Sequence, residues 1–185
     1  MQSDRSDIAL STVYLIVCGA GPATRAYEFV DHARVRGWDC HVIATDAGAR
    51  FIDRERLETA TSHPVITSHR EPGTPRRDRP AADVVVIAPA TANTIGKLAA
   101  GIADTYALAI ASECIGLGVP LVVVPFANTA LTGRAPYHRA VASLAAEGVR
   151  VLDVPEHRPR EGAAHVAVFP WVRAFETAAA MAASA

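Results

Sequence analysis

Short, mainly apolar segments recur along the chain, and each is bounded by polar or turn-forming residues. Five such segments are predicted strands, at residues 13–18, 40–45, 84–88, 119–124 and 149–152. The segment Val84–Ala88 is the clearest central strand among them. Strands without polar alternation are typical of parallel sheets that are covered on both faces.

Amphipathic or alanine-rich segments stand between these strands. Ala26, Phe29, Val30 and Ala33 share one face of a predicted helix, which Gly37 ends. Further helical segments are predicted at residues 46–62 (in pieces), 92–100, 104–115, 136–147 and 170–183. This alternation predicts an α/β, Rossmann-like (flavodoxin-like) fold, in which helices cover both faces of a parallel sheet to give three layers.

The domain organisation follows from length and from two irregular segments. A chain of 185 residues suits one domain, predicted here at residues 12–185 after a loose polar tail at residues 1–11. Residues 67–82 carry three prolines and many charges, so they are predicted to form an exposed loop. Residues 155–169 are also rich in proline and charge and are predicted to form a mobile flap.

Composition narrows the function classes. The net charge of −1 argues against a nucleic-acid partner, and no apolar run is long enough to span a bilayer. The N-terminus also lacks the apolar core of a signal peptide. Cys18, Cys40 and Cys114 are widely spaced, which favours buried, reduced thiols in a cytoplasmic protein over metal or redox chemistry. No metal site is therefore predicted.

The carboxyl ends of the predicted strands are the expected place for a ligand. Four of them carry small or polar residues, at Gly19-Ala20-Gly21, Thr45-Asp46, Pro89 to Thr94 and Pro125 to Thr129. Each lies between a strand and a helix, where the free amides of a helix N-terminus can donate hydrogen bonds to a phosphate.

The turn at Gly19 and Gly21 admits three interpretations. A dinucleotide site would need a third glycine, which is missing, and Pro22 removes a backbone donor where a pyrophosphate would use one. Asp46 could hold a ribose in that case. A mononucleotide phosphate near Gly19, Gly21 and Thr45 is the second interpretation, and a tight turn without a ligand is the third.

The segment from Pro89 to Thr94 is the most informative strand end. Pro89 is predicted to end the strand, and Thr91, Asn93 and Thr94 place hydroxyl and amide groups at the start of the next helix. Capping that helix would need only one of them. The excess of polar groups predicts contacts to a ligand.

At this point the sequence resembles a known family. Residues 82–104, ADVVVIAPATANTIGKLAAGIAD, closely resemble the signature of the homo-oligomeric flavin-containing cysteine decarboxylases. That family includes phosphopantothenoylcysteine decarboxylase and the lantibiotic-type peptidyl-cysteine decarboxylases, and weaker similarity extends over residues 13–152. The resemblance implies FMN held at the subunit interface of a homotrimer or of a multiple such as a dodecamer.

The resemblance also implies roles for particular residues. The FMN phosphate would lie near Gly19, Ala20, Gly21 and Thr45, and the ribityl chain and ring edge near Pro89, Ala90, Thr91, Asn93 and Thr94. Asn128 stands where the family binds the substrate carboxylate, which an amide can do through its NH₂ donors.

Three features depart from the family pattern. Residues 125–132 keep the proline and the asparagine of the family's PxMNxxMW motif but lose both methionines and the tryptophan. The position of the family's catalytic histidine is Pro75, so His69 is the candidate that could replace it, with His63 and His138 as further candidates. No cysteine follows Cys114, so the flap cysteine of the phosphopantothenoylcysteine decarboxylases is missing, and the product is expected to stop at the oxidised enethiol, as in the peptidyl-cysteine enzymes.

These observations favour an FMN-dependent oxidative decarboxylase that acts on the C-terminal cysteine of a peptide. One alternative substrate is phosphopantothenoylcysteine, a small cysteine-containing molecule. A second alternative is an FMN-binding protein without decarboxylase activity, serving as a regulator or partner subunit. A third is another flavin chemistry, such as prenyl transfer to FMN.

Overall fold

The computed structural model describes residues 10–73 and 79–185 and contains a single parallel sheet. Its strands are β1 (Thr12–Val17), β2 (Asp39–Ala44), β3 (Val84–Ala90), β4 (Leu121–Pro125) and β5 (Arg150–Val151). They are arranged in the order β2-β1-β3-β4-β5, which is the flavodoxin-like order. The predicted fold class is confirmed.

Helices cover both faces of the sheet. In the described residues they are α1 (Tyr27–Val35), α2 (Arg54–Thr61), α3 (Ala92–Ala99), α4 (Tyr106–Gly116), α5 (Thr129–Thr132), α6 (Ala135–Ala146) and α7 (Trp171–Ala182). Short 3₁₀ helices occur at Gly21–Arg25, Gly48–Arg50 and Gly162–His165. The sequence pattern missed α5, because its four residues are too few to show a helical period.

Successive residues of each strand enter opposite cores, because side chains alternate along a strand. Val13, Leu15 and Val17 of β1 pack with α1, α2 and α7, whereas Tyr14 and Ile16 pack with α3, α4 and α6. All six residues of β1 are buried. The absence of polar alternation in the sequence therefore reflects a sheet with no solvated face.

Phe175 anchors α7 in the first of these cores. The ring is 1% exposed and meets the rings of Phe29, His32 and Trp38 edge-on, at centroid distances of 5.7, 5.2 and 5.6 Å. Replacing Phe175 with Ala is expected to lower the free energy of unfolding by about 3–5 kcal/mol, because it removes this apolar surface and leaves a cavity. Urea unfolding measures the change, with the exposed Val172→Ala as the control that should stay within about 1 kcal/mol.

Pro89 does not end the central strand as the sequence suggested. β3 continues through Pro89 to Ala90, and its pairing with β4 shifts register between Ile87 and Ala90. Proline is tolerated at such an irregularity because no ladder donor is required there. The carbonyls still accept bonds, from Cys18 N to Pro89 O (3.2 Å) and from Phe126 N to Ala90 O (2.8 Å).

The irregular segments are placed as follows. Of the residues predicted to form a loop at 67–82, those at 67–73 and 79–82 lie in no strand or helix, and residues 74–78 lie outside the described part. Of the predicted tail only residues 10 and 11 are described, and both are exposed. Residues 155–169 follow a defined path beside α5 and include a short 3₁₀ helix. Among the described residues no helix is long and apolar enough to cross a membrane.

Candidate functional site

A cleft of about 530 Å³ lies beside the carboxyl ends of β1, β3 and β4. It is lined by Gly19, Ala20, Gly21, Thr91, Ala92, Asn93, Gly96, Phe126, Ala127, Asn128, Leu131, Arg134, Pro136, Tyr137 and His157. The sheet order reverses between β1 and β3, and ligands of open α/β sheets bind at that point. The volume falls in the range of small-molecule sites.

A larger concavity, of about 900 Å³, lies between α6 and α7 near the start of β5. Small side chains such as Ala145, Gly148 and Ala180 contribute much of its surface. No histidine, asparagine or cysteine lines it. The cleft at the strand ends, where polar groups converge, is therefore the candidate site.

The turn after β1 offers backbone donors to this cleft. Among the described residues, the amides of Gly19 and Gly21 have no hydrogen-bond partner, and no side chain caps the 3₁₀ helix that follows Ala20. A Cβ on Gly19 would lie 2.6 Å from Ala47 Cβ, and one on Gly21 would lie 2.7 Å from Val166 Cγ2. Both positions need glycine, because neighbouring chain segments approach the turn so closely.

Thr45 stands at the end of β2 but does not line the cleft. Its hydroxyl accepts a hydrogen bond from Gly48 N at 3.0 Å and so closes the turn after β2. That turn places Ala47 against Gly19. Thr45 thus supports the position of the glycine turn from behind.

The three polar residues at the start of α3 have different surroundings. Thr91 caps the helix and accepts from Thr94 N at 3.2 Å. Thr94 is buried, with its hydroxyl 3.0 Å from that of Thr91 and donating to Cys18 Sγ at 3.3 Å. Asn93 is exposed at the cleft. Pro89 and Ala90 are buried in β3 and, like Thr94, do not line the cleft.

Asn128 ends the loop after β4, and one of its two polar side-chain atoms is hydrogen-bonded. Its Oδ1 accepts from Ala130 N at 3.1 Å and caps α5. This bond fixes the amide so that Nδ2 remains as a donor, and no partner for Nδ2 exists among the described residues. Asn128 also forms an isolated parallel bridge with His157, through Thr129 N and His157 O at 2.9 Å.

His157 is the cleft residue that sequence reasoning missed. It is 9% exposed and lines the cleft beside Phe126, at a ring-centroid distance of 4.8 Å. Its Nδ1 lies 3.0 Å from the carbonyl oxygen of Arg158. A carbonyl only accepts, so Nδ1 carries the proton of the neutral ring. Nε2 is buried without a partner among the described residues and presents a lone pair.

The histidines singled out in the sequence lie elsewhere. His69 is exposed and stands edge-on to Tyr106, at a centroid distance of 5.0 Å, outside the cleft lining. His138 is exposed on α6, and His63 pairs with Asp39 at the start of β2. Pro75, at the position of the family's histidine, lies outside the described residues.

The three cysteines are free and buried, as the sequence predicted. Cys18 comes closest to the cleft, directly after β1, but it is fully enclosed. Burial raises the pKa of the Cys18 thiol, although Thr94 donates a hydrogen bond to it. Cys18 is therefore a packing residue under the glycine turn and not a nucleophile.

Comparison with known proteins identifies similar chains. The profile of the Flavoprotein family matches residues 1–175. The chain is 30% identical over 149 residues to the coenzyme A biosynthesis bifunctional protein CoaBC of Escherichia coli K12, covering 78% of this chain and 36% of that protein. The chain thus spans little more than a third of the length of that relative.

Two further similarities concern shorter proteins. The chain is 29% identical over 122 residues to a probable phosphopantothenoylcysteine decarboxylase of Streptococcus mutans, covering 63% of this chain and 68% of that protein. The crystal structure of the FMN-dependent cysteine decarboxylase SpaF superposes with a TM-score of 0.67 at 25% identity. That match covers 95% of this chain and 98% of the other.

Proposed function

The chain belongs to the Flavoprotein family, and from that premise we propose that it is an FMN-dependent oxidative decarboxylase of a cysteine carboxylate. Its relatives support the reaction class, because they include a probable phosphopantothenoylcysteine decarboxylase and an FMN-dependent cysteine decarboxylase. The preferred substrate is a peptide that ends in cysteine.

The cleft fits FMN by the chemistry of its donors. The free amides of Gly19 and Gly21 suit a phosphate, because amides at a turn before a helix form an anion site. Asn93 and Thr91, which both line the cleft, would contact the ribityl chain and the edge of the flavin ring. Thr45, Pro89, Ala90 and Thr94 would shape the site from behind the cleft wall. When bound, FMN supplies an acceptor for the two electrons that leave the cysteine side chain.

One observation carries the proposal: Asn128 and His157 are joined through their backbones at the wall of a cleft that also holds the glycine turn. An amide donor for a carboxylate and a ring nitrogen with a free lone pair are thereby placed together. The amide can hold the substrate carboxylate, and the ring nitrogen can accept the thiol proton.

The residues would act on the substrate as follows. Asn128 Nδ2 donates to the carboxylate and holds the reacting cysteine in one orientation. His157 Nε2 accepts the thiol proton while the Cβ carbon is oxidised. The substrate carboxylate then leaves as CO₂, its electrons passing into the oxidised carbon–sulfur unit. Phe126 and Leu131 supply apolar surface that keeps water from this step.

His69 remains a second candidate for the thiol proton. It lies outside the cleft of its own chain, so it can act only in the cleft of a neighbouring subunit. Such an arrangement belongs with the proposed assembly into a homotrimer or a multiple such as a dodecamer. Exposed Leu131, at 42%, provides apolar surface at the cleft for a neighbour to cover.

The product is proposed to be the enethiol of the peptide. No cysteine follows Cys114, so residues 155–169 contain no thiol that could return electrons to the product. The missing thiol also counts against phosphopantothenoylcysteine as the substrate. The net change converts the terminal cysteine to an enethiol and CO₂, with two electrons and two protons removed.

The test is incubation of the FMN-loaded protein with a synthetic peptide that ends in cysteine, followed by mass spectrometry. The expected mass loss is about 46 Da, for CO₂ and two hydrogens. A peptide ending in serine is the matched control and should remain unchanged. A parallel reaction with phosphopantothenoylcysteine distinguishes the alternative substrate. FMN bound without turnover of either compound would favour a flavin-binding protein without decarboxylase activity.

A further inference from the structure

Asp39, His41 and His63 form a cluster at the beginning of β2, at the opposite end of the sheet from the cleft. One ligating atom from each residue lies within 4.8 Å of the other two. Within residues 10–73 and 79–185, no other group of three histidine, cysteine or acidic residues meets this condition. The cluster has no part in the proposed decarboxylation.

Both imidazoles are directed at one carboxylate. His63 Nε2 lies 2.7 Å from Asp39 Oδ1, and His41 Nε2 lies 3.0 Å from Asp39 Oδ2. The two rings are stacked, with centroids 3.9 Å apart and planes at 18°. The same nitrogen of each ring therefore faces the same small volume, together with both carboxylate oxygens.

Secondary structure fixes each of the three side chains. Asp39 and His41 are two residues apart in β2 and so lie on one face of the strand. His63 lies two residues after the end of α2. Ser62 stands between them as the C-cap of the helix and adopts the left-handed backbone conformation (φ 59°). The hydroxyl of Thr61 accepts from His63 N at 3.2 Å and holds this turn. The ligands are thus preorganised by the fold.

We propose that Asp39, His41 and His63 bind a divalent transition-metal ion, with Zn²⁺ as the ion that the donor set fits best. Two imidazole nitrogens and one carboxylate oxygen suit zinc, whereas Mg²⁺ and Ca²⁺ prefer oxygen ligands alone. Water completes the coordination, since the side chain of His63 is one-third exposed and opens the cluster to solvent. Cys40 is excluded as a ligand because it enters the core on the other face of β2.

The ion would fasten the end of α2 to the edge strand β2. Without an ion, His63 is connected to the strand by its hydrogen bond to Asp39 and by stacking on His41, and the bridge of Ile43 with Ile66 lies nearby. A metal at this position is independent of FMN, because the cluster and the cleft share no residue.

The test is equilibrium dialysis of the tag-free, full-length protein against Zn²⁺, with metal content measured by mass spectrometry. Wild-type protein is expected to bind about one equivalent, and the H63A and D39N variants to bind at least about 100-fold more weakly. H69A and H138A are the matched controls, because they remove exposed histidines outside the cluster. They should bind zinc as the wild type does.

Substitution by Co²⁺ provides a second readout. The visible spectrum should show bands of a low-symmetry site without thiolate charge transfer, and these bands should disappear in H63A. FMN content and circular dichroism of H63A should match the wild type, which shows that the fold is intact. The proposal is overturned if the wild type takes up no zinc at one equivalent, or if H63A and D39N bind it unchanged.

Discussion

Replacing Asn128 with Ala is expected to lower kcat about 100- to 1,000-fold while FMN remains bound. Removal of one donor that holds a reacting group in a desolvated site has an effect of this size. In this protein the donor is Nδ2, since Oδ1 is already engaged in capping α5. Turnover of the cysteine-terminated peptide and the flavin content of the purified variant are the measurements.

Asn128→Asp separates this role from the capping role. An aspartate keeps the oxygen that accepts from Ala130 N, so α5 stays capped. It loses the NH₂ donor and adds a charge that repels the substrate carboxylate. The Asp variant should therefore be as inactive as the Ala variant but as stable as the wild type. A variant that is active with Asp would contradict the assignment of the carboxylate site.

Replacing His157 with Ala is expected to lower kcat about 100- to 10,000-fold, because general-base catalysis contributes that much. The backbone contact from Thr129 N to His157 O survives the change, so Asn128 keeps its position. Loss of the ring also opens space next to Gly162. The ring lies so close to this residue that a Cβ on Gly162 would be 3.0 Å from it. Added imidazole should fit this space and restore part of the activity.

His69→Ala is the matched control for this experiment. If His157 accepts the thiol proton, the His69 variant keeps its activity and imidazole has no effect on it. If instead His69 acts across a subunit interface, its variant loses turnover and the His157 variant keeps it. The rescue by imidazole distinguishes a proton acceptor from a residue that only supports the wall of the cleft.

The fold could be predicted because burial leaves a simple pattern in this sequence. Val84–Ala90 and Leu121–Pro125 are buried at every position, and such strands contain little but apolar residues. The alternation of such strands with helices then indicates a parallel sheet covered on both faces. The end of β3 was wrong, because a register shift allows the strand to pass through Pro89, and the short helix α5 was missed.

The candidate site was predicted less completely, because it depends on contacts between distant segments. His157 meets Asn128 through a bridge across 29 positions, and nothing local to Pro155–Glu161 indicates that bridge. The excess polarity at Thr91, Asn93 and Thr94 was correctly noticed but partly has a structural cause. Thr91 and Thr94 bond each other and Cys18, which leaves Asn93 as the exposed polar side chain.

The cluster of Asp39, His41 and His63 also depends on a contact between distant segments. Asp39 and His41 share a strand face by their spacing, but the third ligand comes from the turn after α2. The position of His63 depends on where that helix ends, and Ser62 in the left-handed conformation sets this end. Cysteine spacing alone does not reveal a site that consists of histidine and aspartate side chains.

The cleft is proposed to hold FMN, which would accept two electrons from the side chain of the substrate cysteine, and an anaerobic single-turnover measurement is the most direct test. The flavin-loaded protein is mixed with excess cysteine-terminated peptide, and the yellow absorbance is followed while the enethiol is quantified. The flavin is expected to bleach fully, and one enethiol is expected to form per flavin. Bleaching should be absent with the serine-terminated peptide. The proposed function is contradicted if the flavin stays yellow in the presence of the cysteine peptide, or if the protein takes up no FMN.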